Sequence, residues 1–474
     1  MRLKKRLVAI AVVVGTVGVG AGLAGASSPR SKVTLTAGGA TFPLNIVESC
    51  RAEFANDTTY NSIGDAINYT GVGSGTGRQN FYGGTYKFAM SDSLPSATGD
   101  SGRGYRASFV LVPMIAGAIG VSYRLDNVKP AGTILQLSST TVAKIFAGQI
   151  TKWDDAAIKA DNPVAAKPTL DGLNKFLTVS AKAGKKAGTI DFTINVKRGL
   201  VTSKTKNLII TGTDATGKAF KVYNKKPKTG VLKLSTKHAA GNEYLIVFDK
   251  NEVGTVSIDA TSVKLPSTPI TVYYRKDTSG TTNNFANYLN KTNPTVWSKA
   301  TNDAFTSAFP GTVPTDGSFV AQQGNDGVAN GVMGKDGGIG YNELSFINER
   351  QAAGKTIYAA KIKNGAGEWI VPTSAAAAAF VAESTLDASF GSVTFDYATT
   401  AKGAYPITAI SYGLANTAAA TSAQANTNEI AASKSFVDFF INSCAPNVAE
   451  VKGYAALTGK VLDLAKAQAA KIGK

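Results

Sequence analysis

At 474 residues the chain is long enough for about three domains, and 50 Lys and Arg against 32 Asp and Glu give it a net charge of +18. A single histidine, His238, and two cysteines, Cys50 and Cys444, are too few for a zinc cluster and argue against a Ser-His-Asp triad.

The N-terminus reads as an export signal. Met1-Arg2-Leu3-Lys4-Lys5-Arg6 is a basic start, residues 7–23 are apolar and laced with glycine, and Ala24-Gly25-Ala26 is a small-residue cleavage site. An uncleaved anchor is the alternative, because the apolar run approaches membrane-spanning length. The signal reading assigns residues 1–26 to a leader and the rest to the exported side of the membrane.

Four segments downstream carry anion-binding chemistry. Gly38-Gly39-Ala40-Thr41-Phe42-Pro43 precedes a helix-like run over 44–54, so Thr41 offers a hydroxyl and a free amide at a helix start. The strand-like residues 66–69 lead into Gly71-Val72-Gly73-Ser74-Gly75-Thr76-Gly77, a glycine-rich turn with Ser74 at its centre, and then into a helix-like run over 78–81. A strand over 86–90 closes on Ser91-Asp92. Arg275-Lys276-Asp277-Thr278-Ser279-Gly280-Thr281 then joins a guanidinium, a carboxylate to hold it, hydroxyls and a glycine at the start of a helix over 282–289. In open α/β sheets such strand ends converge at the ligand crevice. Singly, each is an ordinary turn or N-cap; their order and spacing set them apart.

With these motifs the chain resembles the phosphate-binding proteins that deliver phosphate to ABC importers. Thr151-Lys152-Trp153-Asp154-Asp155, Gly324-Asn325-Asp326-Gly327, the glycine-rich residues 337–341 and Tyr405-Pro406-Ile407 extend the likeness, which covers residues 33–163 and 263–474. The resemblance implies a two-lobed periplasmic-binding-protein (type II) α/β fold, with lobe I made of 33–122 plus 406–474 and lobe II of 123–163 plus 263–405. It implies phosphate contacts from Thr41, Phe42, Ser74, Asp92, Arg275, Ser279, Gly280 and Thr281, with Asp277 orienting Arg275. It also implies a membrane permease as partner, and neither cofactor nor metal nor catalysis. Asp92 would accept a hydrogen bond from a protonated phosphate and repel fully ionised sulfate. Relatives from bacteria with a single membrane often have a lipid-attachment cysteine after the leader, and this chain has none there.

In an exported chain two cysteines suggest a disulfide, the alternative being two buried thiols. The family fold, which brings both chain ends into one lobe, favours a Cys50–Cys444 bridge.

The likeness is interrupted over 164–262. Ile190, Phe192, Ile194 and Val196 alternate with polar residues, and 207–211 and 219–223 flank the turn Thr213-Asp214-Ala215-Thr216-Gly217. Further strand-like runs lie at 231–234, 244–248 and 255–258, which together suggest an immunoglobulin-like β-sandwich. The insert holds 17 Lys and Arg against 7 Asp and Glu, so ten of the net eighteen charges are its own. An anionic cell-wall polymer is the partner this charge would suit; few aromatics interleave the lysines, which argues against nucleic acid.

Beyond the insert, residues 375–379 read as a helix capped by Thr373 or Ser374, residues 417–428 as a surface loop, and Trp153 and Tyr341 as core. Three functions compete: an exported phosphate receptor, an enzyme, and a surface adhesion protein working through the insert. A dinucleotide fingerprint fails at Thr76, where a third glycine is required; a phosphatase would want metal ligands or a histidine, and the two lobes hold no histidine.

Overall fold

The computed structural model describes residues 30–128, 132–162, 167–170, 177–183, 186, 189–197, 207–213, 218–237, 243–248, 256–259 and 263–474. Residues 1–26, read from the sequence as a leader, and His238 lie outside them.

A ten-stranded sheet organises the protein. Its main order is Phe319–Gln322, Thr271–Arg275, Gly338–Glu343, Phe109–Tyr123, Thr408–Asn416, Phe88–Ser91, Thr34–Gly39 and Ala66–Gly71. The shared strand Phe109–Tyr123 is a near-continuous apolar run buried along all but its first residue, as expected of a strand covered on both faces. It changes partner midway. Residues 109–118 pair antiparallel with Thr408–Asn416, and Ile119 to Tyr123 pair with Gly338–Glu343. The Ile119 amide donates to Ile407 at 2.7 Å, so both connections between the two halves run side by side. No break in hydropathy marks the switch, which falls just upstream of Tyr123.

On one side of the switch lies the half containing Thr41, where Thr34–Gly39 runs parallel to Ala66–Gly71 and Phe88–Ser91. On the other lies the half containing Arg275, where Thr271–Arg275 runs parallel to Phe319–Gln322 and Gly338–Glu343. Helices follow these strands directly: Leu44–Phe54, Ser74–Tyr82, Gly280–Thr292 and Gly324–Gly334. The second begins at Ser74 itself, four residues before the run read from sequence. Gly73 makes the whole turn at φ +90°, and Gly77 lets the helix lie against the first strand, where a Cβ would come within 2.3 Å of Gly39 Cα.

One apolar cluster runs through both halves and includes Trp153 and Tyr341, both fully buried. Cys50 and Cys444 form a disulfide that ties the first helix to the segment after Thr427–Phe439. The alanine-rich helix Ser374–Ala382 is capped by Thr373, whose hydroxyl accepts from the Ala376 amide. Residues 417–426 are turns before the helix Thr427–Phe439.

Between Asn162 and Val263 the described strands make two separate antiparallel sheets, one of five strands and one of three. The strands read on either side of the turn are present and paired, Leu208–Thr213 with Ala219–Lys225, while residues 214–217 lie outside the described residues; Lys167–Leu170 and Leu177–Ala183 are strands that the sequence pattern did not disclose. Two sheets of this size do not establish the immunoglobulin-like sandwich. No described strand of the insert joins the main sheet. The chain on either side of the insert is bridged, Trp153 N to Thr268 O at 3.0 Å and Ile270 N to Thr151 O at 2.9 Å.

Candidate functional site

The ends of the parallel strands, and the helix starts behind them, face one another across the junction of the halves. Thr41 and Phe42 sit between the first strand and Leu44–Phe54, and Ser74 opens the second helix. Asp92 follows Phe88–Ser91, while Arg275 is the last residue of its strand and Ser279 the N-cap of Gly280–Thr292. All of the residues expected to touch the ligand are buried. The amides of Thr41 and Phe42, in the turn just before Leu44–Phe54, and of Ser74, Gly280 and Thr281, in the first turns of their helices, donate to no group among the described residues.

Arg275 is held from several sides. Its Nε donates to Asp277 Oδ1 at 2.8 Å and its Nη2 to Asp277 Oδ2, a two-pronged pair, while Nη1 lies 3.3 Å from Thr281 Oγ1. Burial alone would raise the Asp277 carboxyl, but the paired guanidinium and the Gly324 amide, 3.1 Å from Oδ1, hold it below the ordinary carboxylate value. The strand amide of Arg275 donates to Tyr341 Oη, which also shares a hydrogen bond with Thr282 Oγ1. Tyr341 is thus core on one face and support for the site on its hydroxyl.

Asp92 sits in the opposite electrostatic situation. Its Oδ2 lies 3.4 Å from Ser74 Oγ, and that same oxygen of Ser74 accepts from the Asp92 amide at 3.1 Å. Its Oδ1 is fully buried without a hydrogen-bond partner among the described residues, as is Ser411 Oγ. Burial is the largest influence and pushes the carboxyl up to about 7; the Ser411 hydroxyl, near Asp92 though outside hydrogen-bond geometry, the Arg275 charge and the Ser74 hydroxyl oppose it, and Asp303 adds to the rise.

The two halves are drawn tightly together here. Gly75 N donates to Thr278 O at 3.0 Å, Asn284 Nδ2 to Asp92 O at 2.7 Å, and Asn325 Nδ2 to Thr41 Oγ1 at 3.0 Å. Gly280 is so close to the other half that a Cβ on it would meet Ser74 Oγ at 2.5 Å and Asp92 Cβ at 2.7 Å. Asn284, Asn325 and Ser411 belong to the site and were given no role in the sequence reading. Asn325 had a signal, its Gly-Asn-Asp-Gly setting after a strand; Asn284 and Ser411 had none.

Chemically this is a cluster of donors with one guanidinium and one carboxylate acceptor. Among the described residues no cluster of His, Cys, Asp and Glu is arranged to hold a metal ion.

Comparison with known proteins agrees with the architecture. The sequence model of the PBP superfamily domain matches residues 24–186 and 213–443, reaching into the insert from both sides. A phosphate-binding protein PstS of Xylella fastidiosa (strain Temecula1) is 26% identical over 410 residues, 86% of this chain and 76% of its own. Phosphate-binding protein PstS 3 of Mycobacterium leprae is 24% identical over 339 residues, 70% and 61% of the two chains. Among solved structures, the phosphate-bound periplasmic phosphate-binding protein PfluDING superposes with a TM-score of 0.51 at 17% identity, covering 92% of this chain and 93% of the other. The phosphate-binding protein of Stenotrophomonas maltophilia gives the same score, identity and coverage.

Proposed function

The chain belongs to the PBP superfamily, and from that premise we propose that it is an exported receptor that binds inorganic phosphate non-covalently between two lobes and hands it to the permease of an ABC importer. The observation that carries this reading is Asp92 Oδ1, a buried acceptor with no hydrogen-bond partner among the described residues, set among helix-start amides that donate to none of them and beside a buried guanidinium. A monohydrogen phosphate offers one O–H to that acceptor and oxygens to the donors. Sulfate at neutral pH has no proton to offer and would meet the ionised form of Asp92 as a bare charge. The named relatives, all phosphate-binding proteins, support the same ligand.

In this reading Thr41 and Phe42, Ser74, and Ser279, Gly280 and Thr281 supply donors from three helix starts, Arg275 supplies the charge, and Asp277 keeps its fork in place. Hydrogen bonds to a charged ligand contribute about 1.5–3 kcal/mol each, so a handful reaches the roughly 8 kcal/mol of micromolar binding after ordering costs. Binding needs no covalent step, and the relatives are named as binding proteins, so the reading is of a receptor rather than an enzyme. Lobe I would comprise 33–122 with 406–474, lobe II 123–163 with 263–405, and residues 164–262 a separate β-sandwich. Nothing in the comparisons supports an adhesion role or a cell-wall partner for that insert.

Calorimetric titration of the protein without residues 1–26 tests the proposal. Phosphate should bind at micromolar concentration or tighter, sulfate should give no heat, and Arg275→Ala should abolish phosphate binding. Equal affinity for both anions would overturn the role of Asp92, and no heat with either would overturn the receptor reading.

A further inference from the structure

A second buried arginine, outside the expected ligand set, ties the two halves together. Arg78, 3% exposed, lies on the helix that Ser74 opens. Within its own half it forks onto Asp100, Nε to Oδ2 at 2.8 Å and Nη2 to Oδ1 at 3.0 Å. Its Nη1 reaches both neighbours of Asp92: Ser91 Oγ at 2.8 Å, Ser93 Oγ at 2.5 Å and the Ser93 carbonyl at 3.3 Å. Nη2 then crosses to the other half and donates to Asp303 Oδ2 at 2.8 Å. Asp303, 5% exposed, is itself fastened to the helix start that follows Arg275: its carbonyl accepts from the Ser279 amide at 2.9 Å and its Oδ1 from Asn283 Nδ2 at 2.9 Å.

We infer that Arg78 and Asp303 form a latch that retains phosphate by holding the Asp92 loop against the Ser279 loop in the closed protein. The inference rests on the receptor reading. Its physical basis is an asymmetry in partners. With the halves apart, Arg78 keeps its fork on Asp100 and Asp303 keeps Asn283 on Oδ1 while its Oδ2 is freed to water, so neither partner is left buried and unpaired in the open form. The Arg78–Asp303 contact is made only when the halves meet, and an interaction present in one state alone shifts the equilibrium toward that state. Buried between the halves, it is shielded from the screening that makes surface pairs weak. Arg78 and Asp303 are positioning residues: they act on release through the loops they hold.

Stopped-flow measurement of inorganic phosphate binding and release tests the latch in the wild type, Asp303→Asn, Arg78→Lys and the double variant. Asp303→Asn should speed release by about tenfold or more, the worth of a charge-assisted hydrogen bond, and leave the association rate within about a factor of two. The melting temperature without phosphate should stay near that of the wild type. In the double variant the two effects on release should fall well short of multiplying, because both substitutions break one contact. Unchanged release in Asp303→Asn, or full multiplication in the double variant, would overturn the latch and leave Arg78 as a brace of its own half. Failure of the wild type to bind phosphate would instead remove the receptor reading, and the latch with it.

Discussion

Asp92 and Glu343 are buried acids with raised pKa values, and they govern how stability responds to pH. Burial pushes Glu343 up to about 8 against the pull of the Ser345 hydroxyl and amide, and it pushes Asp92 up to about 7. Both therefore hold a proton in the folded protein at pH values where the unfolded chain has released it. Where the folded state binds more protons, stability falls as pH rises, so the ligand-free protein should melt at lower temperature at pH 8 than at pH 5. Asp92→Asn with Glu343→Gln should flatten that slope. Asp100 and Asp277 act in the opposite sense, with pKa values held low by Arg78 and Arg275 after burial is offset, and their contribution is lost only on acidification below the ordinary carboxylate range. Thermal melts in phosphate-free buffer across pH 5–8 decide the matter; a flat or rising curve would contradict the burial argument. Of the individual site residues, the Arg275–Asp277 pair was legible because its partners lie two positions apart. Ser411 was not, because it reaches Asp92 only through the antiparallel pairing of Thr408–Asn416 with Phe88–Ser91.

At the scale of the element, the helix starts do the work, and Gly280 shows how their packing can be separated from their stability. It is the first residue of Gly280–Thr292 and does not have the positive φ that a side chain would resist. Alanine there should leave the isolated helix unharmed or favour it by up to about 1 kcal/mol, as Gly-to-Ala changes do at compatible sites. In the closed protein the same methyl group would collide with Ser74 Oγ, Asp92 Cβ and the Ser93 amide, the last at 2.7 Å. Gly280→Ala is therefore expected to keep the ligand-free melting temperature and weaken phosphate binding by about a hundredfold or more, since each 1.4 kcal/mol of clash is tenfold. Calorimetry and melting of the same sample separate the two effects, and undiminished affinity would mean that the halves close less tightly than described. Glycine at this position was visible as part of a Ser-Gly-Thr helix start. What it makes room for was not.

For the whole molecule, the arrangement of the insert predicts that it can be removed. Hydrogen bonds bridge residues 151–153 to 268–270, and none of its described strands enters the main sheet. Insertions attached through closely spaced ends at a surface are the kind that domains tolerate. Joining Asn162 to Val263 should give a protein that still binds phosphate with affinity within a few-fold of the full chain. Loss of binding with retained folding would give the insert a part in the site.

The sequence by itself determined the local chemistry: which strand ends carry hydroxyls, glycines and a guanidinium, where helices begin, and that an α/β fold is interrupted by a basic β segment. These features depend on residues within a few positions of one another, through backbone conformation, capping and alternation. Only the tertiary structure decided the partner switch at Ile119, the contacts of Asn325 with Thr41 and Asn284 with Asp92, and the crossing from Arg78 to Asp303. Those contacts join residues some two hundred or more positions apart, and they exist only when two halves of a sheet close on one another, which no local pattern encodes.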